Sequence, residues 1–96
     1  MKILYVSKGI SKSEALENHI EKGLERAKEY FGDSAECKVV YRKDGKLKVC
    51  EITILRKGEV IRCEKKHEDM FAAANDAIDT LWGKIRKYKS KADKIR

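Results

Sequence analysis

The stretch ECKVVYRKDGKLKVCEITILRKGEVIRCEKK, residues 36–66, is divided at two points, Asp44-Gly45 and Lys57-Gly58. On either side of each point run β-branched and aliphatic residues alternating with charged ones. Alternation of period two is the signature of a strand with one buried face. Dipeptides ending in Gly between such runs signal two-residue hairpin turns. Three antiparallel strands are therefore expected. Tight turns at these dipeptides would set Cys37 opposite Ile52, Val39 opposite Cys50, and Ile52 opposite Cys63. The core face would carry Cys37, Val39, Tyr41, Cys50, Ile52, Ile54, Ile61 and Cys63. The outward face would carry Leu4, Val6, Val40, Val49, Leu55 and Val60, once an N-terminal strand is added. That is a partner surface, or a sheet face lying beneath long Lys and Arg stems.

Upstream, KILYVS (2–7) reads as the first strand. SKSE (11–14) matches a capping box, with Ser11 as N-cap and Glu14 three residues on. One amphipathic helix should follow to Phe31 and stop at Gly32. Leu16, Ile20, Gly23, Leu24, Ala27 and Phe31 share its buried face. Downstream, EDMFAAANDAIDTLWGKIRKYKSK (68–91) is a second helix with a stripe of Met70, Ala74, Ala77, Ile78, Leu81 and Ile85. The order β-α-β-β-β-α predicts an α+β fold. Its four-stranded mixed sheet has two helices packed on one face, and its first two strands are parallel across a right-handed crossover. Residues 1–96 read as one domain, with the basic end from about 89 fraying.

The 96 residues carry a net charge of +7 and are 41% charged, which favours anionic partners. No run approaches the ~20 apolar residues that span a bilayer, and the N-terminal apolar run is too short for a signal peptide. The expectation is a cytoplasmic protein with no membrane partner. Three cysteines do not form a secreted disulfide framework.

The charge is unevenly placed. Residues 81–96 hold seven bases and one acid, whereas residues 8–31 hold five of each. Within that balanced segment the signs are sorted. Helical geometry puts Glu14, Glu17, Glu21, Glu25 and Glu29 on one flank of the apolar face, and Lys12, His19, Lys22 and Arg26 on the other. Lys28 alone sits among the acids, at helical spacing from Glu21 and Glu25. On the second helix Lys84, Lys87 and Lys91 fall in a row beside the apolar stripe, and Lys94 extends it. Solubility alone does not require sorting by sign. The two basic rows are expected to join into one patch for phosphate, which flexible ammonium groups contact without reading sequence.

At this point the sequence resembles the ribosome hibernation factors, a family that includes hibernation-promoting factor and ribosome-associated inhibitor A (protein Y). SEALENHIEKGLERAKEYF (13–31) is similar to the family's first helix, down to the closing Tyr-Phe. Residues 68–91 are similar to its second, with the Asp-Met-Phe opening and the Lys-x-Lys-x-Lys end. The resemblance covers nearly the whole chain. It implies a double-stranded-RNA-binding-like fold and a stress-response, stationary-phase protein that occupies the mRNA and tRNA channel of the small ribosomal subunit. Translation would be blocked by occupancy and not by enzymatic chemistry. It implies rRNA contacts at Lys22, Arg26, Lys87, Lys89 and Lys91, with Lys84 compensating for one departure: the family often has an arginine where this chain has Gly83. No cofactor, no metal and no small-molecule substrate are expected, and the chain is expected to be a monomer in isolation. The length matches a short member, or the N-terminal piece of a long one with a second, dimerising domain.

The remaining chemistry-bearing residues have simpler roles. Cys37, Cys50 and Cys63 lack any Cys-x2-Cys knuckle and are expected as buried small hydrophobes. They should be free thiols, because Cys37 and Cys63, two strands apart, would be roughly 9–10 Å apart, too far for a disulfide. His19 falls on the basic flank and His67 at a strand–helix junction, neither with a catalytic partner. Trp82, at the edge of the apolar arc, is expected to be partly buried, with base stacking as the other reading. Tyr88 offers the same stacking, and Tyr30 is a candidate rRNA contact. The competing readings are a general double-stranded-RNA module, a small α/β enzyme on a phosphorylated substrate, and a dimerisation module. The enzyme would need a phosphate-cradling Gly loop and a placed acid or base, and neither is found.

Overall fold

Four strands, β1 (Lys2–Lys8), β2 (Glu36–Asp44), β3 (Leu47–Arg56) and β4 (Glu59–His67), form one sheet in the order β1-β2-β3-β4. β1 pairs parallel to β2, and the other neighbours are antiparallel. Helices α1 (Glu14–Gly23) and α2 (Glu25–Phe31) fill the crossover, and α3 (Met70–Ile95) follows β4. The structure, a computed structural model, describes the backbone of residues 1–95 and the side chains of residues 1–87. The expected α+β architecture is the one observed.

The second hairpin has the expected register, with Arg56 opposite Glu59 and Ile52 opposite Cys63. Lys57 (φ 47°) and Gly58 (φ 80°) make a turn with both central residues left-handed, the type I′ geometry that matches strand twist. The first hairpin is shifted by two residues from expectation. Asp44 stays in β2 opposite Leu47, and the turn is Gly45-Lys46. Only Gly45 there has positive φ, 61°, as a type II′ turn requires. An Asp44-Gly45 turn of type I′ would need two left-handed residues, Asp44 and Gly45, whereas the turn adopted needs only Gly45. Cys37 therefore faces Ile54, Val39 faces Ile52, and Tyr41 faces Cys50. A shift of two preserves the face, so the expected inward set holds. All of it is buried except half-buried Ile61.

The helix start is also corrected, from Ser11 to Ser13. The Ser13 hydroxyl accepts the Leu16 N–H at 3.2 Å, while the Ser13 N–H is received by the Tyr41 hydroxyl at 3.0 Å. That hydroxyl in turn donates to Glu17 Oε2 at 2.6 Å. A residue in the middle of β2 thus fixes where the helix begins. The expected single helix is interrupted at Leu24 (φ −100°, ψ 4°), whose N–H is shared between the Ile20 and Glu21 carbonyls. At Gly23, just before it, α3 packs close: a Cβ there would stand 2.6 Å from Ile78 Cδ1. Gly32, with φ 66°, ends α2 as expected.

The core lies between one sheet face and the helices. Leu16, Ile20, Leu24, Ala27 and Phe31 meet Ala74, Ala77, Ile78, Leu81 and Ile85 over Val39, Tyr41, Ile52 and Ile54. On the outer face Val40 and Val49 are buried. Charged side chains stand over them, tied as Arg42–Glu64 (2.9 Å), Arg62–Glu51 (2.8 Å) and Lys66–Asp44 (3.4 Å). Such surface pairs add little stability, but their stems cover apolar surface. At the other end of this face Leu4, Leu55 and Val60 remain exposed.

The three cysteines are free and buried. Burial pushes the Cys37 and Cys50 thiols up to about 12, and raises Cys63. The folded chain then keeps protons that the unfolded chain releases, so ν_N exceeds ν_U and stability falls as pH rises. The loss should begin near the ordinary thiol value of 9 and extend towards about 12. The urea midpoint should therefore drop between pH 8 and pH 10.5. At pH 8 an aromatic disulfide reagent should label no cysteine until denaturant is added. A thiol that reacts rapidly in the native protein at pH 8 would refute this.

Candidate nucleic-acid interface

The helices run side by side in the same direction, as three contacts along their length show. His19 Nε2 lies 2.6 Å from Asn75 Oδ1, and its ring meets Phe71 edge-on at 5.4 Å. Trp82 Nε1 donates to the Gly23 carbonyl at 3.4 Å. Further on, Arg26, Glu29 and Tyr30 of α2 face Trp82, Ile85 and Arg86 of α3 across an open groove of about 580 Å³. The flank of α1 and α2 that carries His19 and Arg26 is therefore the one turned towards α3.

The opposite, acidic flank is turned towards the sheet. Glu17 takes the Tyr41 hydroxyl on its carboxylate and the Tyr5 hydroxyl on its carbonyl, at 2.6 and 3.2 Å. Glu21 pairs with Lys28 at 3.5 Å, one of the two partners the spacing allowed. One acid of that flank thus has a structural role, Glu17 holding two tyrosine hydroxyls of the sheet, while His19 and Arg26 lie on the α3-facing side. Glu29 departs from the expected acidic flank. The interruption at Leu24 re-phases α2, and Glu29 lines the groove with Arg26.

Lys22 and Arg26 are both exposed, on the last turn of α1 and on α2. Lys87 is exposed on α3. Lys84 is exposed, but its Nζ donates to the Arg62 carbonyl in β4. It lies on the far flank of α3 from Arg26, so the α3 row does not meet the α1–α2 row through Lys84. Lys89, Lys91, Lys94 and Tyr88 have side chains outside the described residues. The residue that does face Arg26 is Arg86, which the lysine spacing did not single out. Its signal was present: Arg86 is four residues after Trp82, on the edge of the apolar arc. Trp82 is partly buried as expected, its indole tied to Gly23. Tyr30 packs edge-on against Phe31 at 4.9 Å. His67 caps the strand–helix junction, accepting the Asp69 N–H on Nδ1 at 3.1 Å.

Gly83 lies between Trp82 and Lys84, and nothing stands within 4 Å of where its Cβ would be. A helical glycine costs about 0.5–1 kcal/mol relative to alanine. Gly83→Ala should therefore stabilise the domain and raise its Tm by roughly 2–8 °C. A thermal melt checks this, and a lowered Tm would contradict it.

Among the described residues no group of three or more His, Cys, Asp or Glu could hold a metal ion, and no helix is long and apolar enough to cross a membrane. What the geometry presents is a basic, partly aromatic groove on the helical layer.

Comparison with known proteins agrees over the same span. The family model for sigma 54 modulation protein / S30EA ribosomal protein matches residues 3–93. A ribosome hibernation promotion factor of Deinococcus radiodurans is 28% identical over 94 residues, 93% of this chain and 49% of that protein. One from a Picosynechococcus species is 30% identical over 98 residues, 95% and 50% respectively. The chain thus spans about half the length of the curated relatives it matches. Among solved structures, a ribosomal subunit interface protein from Coxiella burnetii superposes with a TM-score of 0.81 at 21% identity, covering 94% of this chain and 99% of that one. The N-terminal domain of Thermus thermophilus Protein Y superposes with a TM-score of 0.76 at 26% identity, covering 91% and 94%.

Proposed function

The chain belongs to the sigma 54 modulation protein / S30EA ribosomal protein family, and from that premise we propose that it is a ribosome-binding hibernation domain. It acts in the cytoplasm, seats its helical face on rRNA of the small subunit in the mRNA and tRNA channel, and blocks translation by occupancy. The observation that carries this reading is the family match across residues 3–93, supported by the exposed bases Lys22, Arg26, Arg86 and Lys87 on the helical layer.

The contacts are assigned to Lys22, Arg26, Lys84, Lys87, Lys89 and Lys91, with Arg86 added from the groove. Lys84 plays a lesser part, since its ammonium is already held by a backbone carbonyl. Phosphate neutralisation and counterion release supply most of the affinity. Site choice comes from the shape of the domain in a preformed channel. The protein needs no turnover and no cofactor. The test is competition with tRNA on purified small subunits: saturating tRNA should displace the protein, and undiminished binding would overturn the reading.

A further inference from the structure

The groove between α2 and α3 has more chemistry than phosphate contact requires. We propose that it holds one unpaired guanine nucleotide of RNA, with the base against Trp82, its Watson–Crick edge on Glu29, and its phosphate between Arg26 and Arg86. This deepens the ribosome-binding reading and rests on it for the source of the RNA.

Size is the first argument. A volume of about 580 Å³ falls within the ~300–1,000 Å³ typical of small-ligand sites. Preorganisation is the second. Trp82 is partly buried and its indole N–H is tied to the Gly23 carbonyl at 3.4 Å, so its ring is held in place with Ile85 beside it. A fixed aromatic face suits an extruded base, and stacking on aromatic rings is the usual way single-stranded nucleotides are held.

Charge is the third argument. Neither guanidinium in the groove, nor the Glu29 carboxylate, forms an ion pair among the described residues. Two guanidiniums lining one groove match one phosphate, which arginine can take in a bidentate fork. A carboxylate among them is unsuited to a site for phosphate alone, because it repels the anion. It is suited to a ligand that is anionic at one end and a hydrogen-bond donor at the other. An ionised carboxylate only accepts, through two oxygens. Guanine offers two adjacent donors on its Watson–Crick edge, N1–H and N2–H. Adenine and cytosine each place an acceptor beside their single amino group, and uracil flanks its N–H with two carbonyls. The carboxylate therefore selects guanine.

Trp82 is the only tryptophan in the chain, so its fluorescence reports the groove directly, without ribosomes. Titration with GMP should change the emission saturably. AMP, CMP and UMP should bind at least about fivefold more weakly, the lower end of discrimination by one bidentate contact. Inorganic phosphate should leave the emission unchanged. Glu29→Gln, at an exposed position, should bring GMP down to the level of AMP, while Arg86→Gln should weaken all four nucleotides alike. The proposal is overturned if GMP gives no saturable change, if the four nucleotides bind equally, or if Glu29→Gln keeps the guanine preference. Guanine selection in a protein that fails to bind small subunits would remove the ribosomal reading and leave the groove assignment standing. Subunit binding without guanine selection would do the reverse.

Discussion

The triple substitution Lys22→Glu, Arg26→Glu and Lys87→Glu should lower affinity for small ribosomal subunits by at least about 100-fold near 0.1 M salt, with the fold intact. All three side chains are exposed and none forms an ion pair among the described residues. Hydrogen bonds to charged groups contribute roughly 1.5–3 kcal/mol each, so losing two or three of them, and adding like-charge repulsion, exceeds a hundredfold. Each lost phosphate contact should also reduce the slope of log K against log salt by about one. The control is Lys38→Glu with Lys46→Glu. Both positions are exposed on the sheet side of the molecule, and the pair alters net charge in the same direction. If affinity depends on the helical face, the control loses only a few-fold. Equal losses per reversed charge would mean that overall charge, and not this face, governs binding.

Removal of one hydroxyl should have the largest effect on stability. Tyr41→Phe takes the acceptor from the Ser13 N–H (3.0 Å) and the donor from Glu17 Oε2 (2.6 Å). Tyr41 is fully buried, so the vacated space admits no easy replacement. A buried group left without its partner costs about 1–3 kcal/mol, and more when the partner is charged. A loss of about 2 kcal/mol, or a Tm lower by roughly 8–16 °C, is expected. Tyr5→Phe should cost less, because its hydroxyl makes one longer bond to a carbonyl, 3.2 Å, at a half-buried site. The alkaline behaviour should change too. Burial and the Glu17 carboxylate raise the Tyr41 hydroxyl above its ordinary value of 10.0. The folded state retains that proton where the unfolded state loses it, so stability falls as pH rises past about 10. Tyr41→Phe should shallow that fall. Urea unfolding of both variants at pH 7 and pH 11 measures all three expectations, and a Tyr41→Phe variant as stable as the parent would refute the assigned bonds.

What the sequence revealed and what it concealed follow one physical line. The Lys57-Gly58 hairpin was legible to the residue, since the turn falls on the dipeptide that signals it. The first hairpin was not, because Asp44-Gly45 and Gly45-Lys46 are both acceptable two-residue turns, and a slip of two buries the same face. Hydrophobic pattern cannot separate registers that differ by a full period. Ser11 and Ser13 both offer a capping hydroxyl, and the choice is made by Tyr41, which is 28 residues away. Local signals end where a distant side chain arbitrates. The site shows the same limit. The exposure of Lys22 and Arg26 was legible because sorted charge on one helix is a local property. Arg86 was hidden in a lysine-rich run, because which flank of α3 meets α1 depends on the close approach at Gly23 and Ile78.

The central claim is that this domain and tRNA contend for one place on the small subunit. Two ligands of one site weaken each other reciprocally. The direct measurement is equilibrium binding of labelled protein to purified small subunits over a titration of message with initiator tRNA, and of labelled tRNA over a titration of protein. The account predicts that each displaces the other completely, with apparent affinities falling in proportion to competitor concentration and with the Lys22, Arg26 and Lys87 triple variant failing to displace tRNA. Stable ternary complexes, holding protein and tRNA together at undiminished affinity, would contradict it.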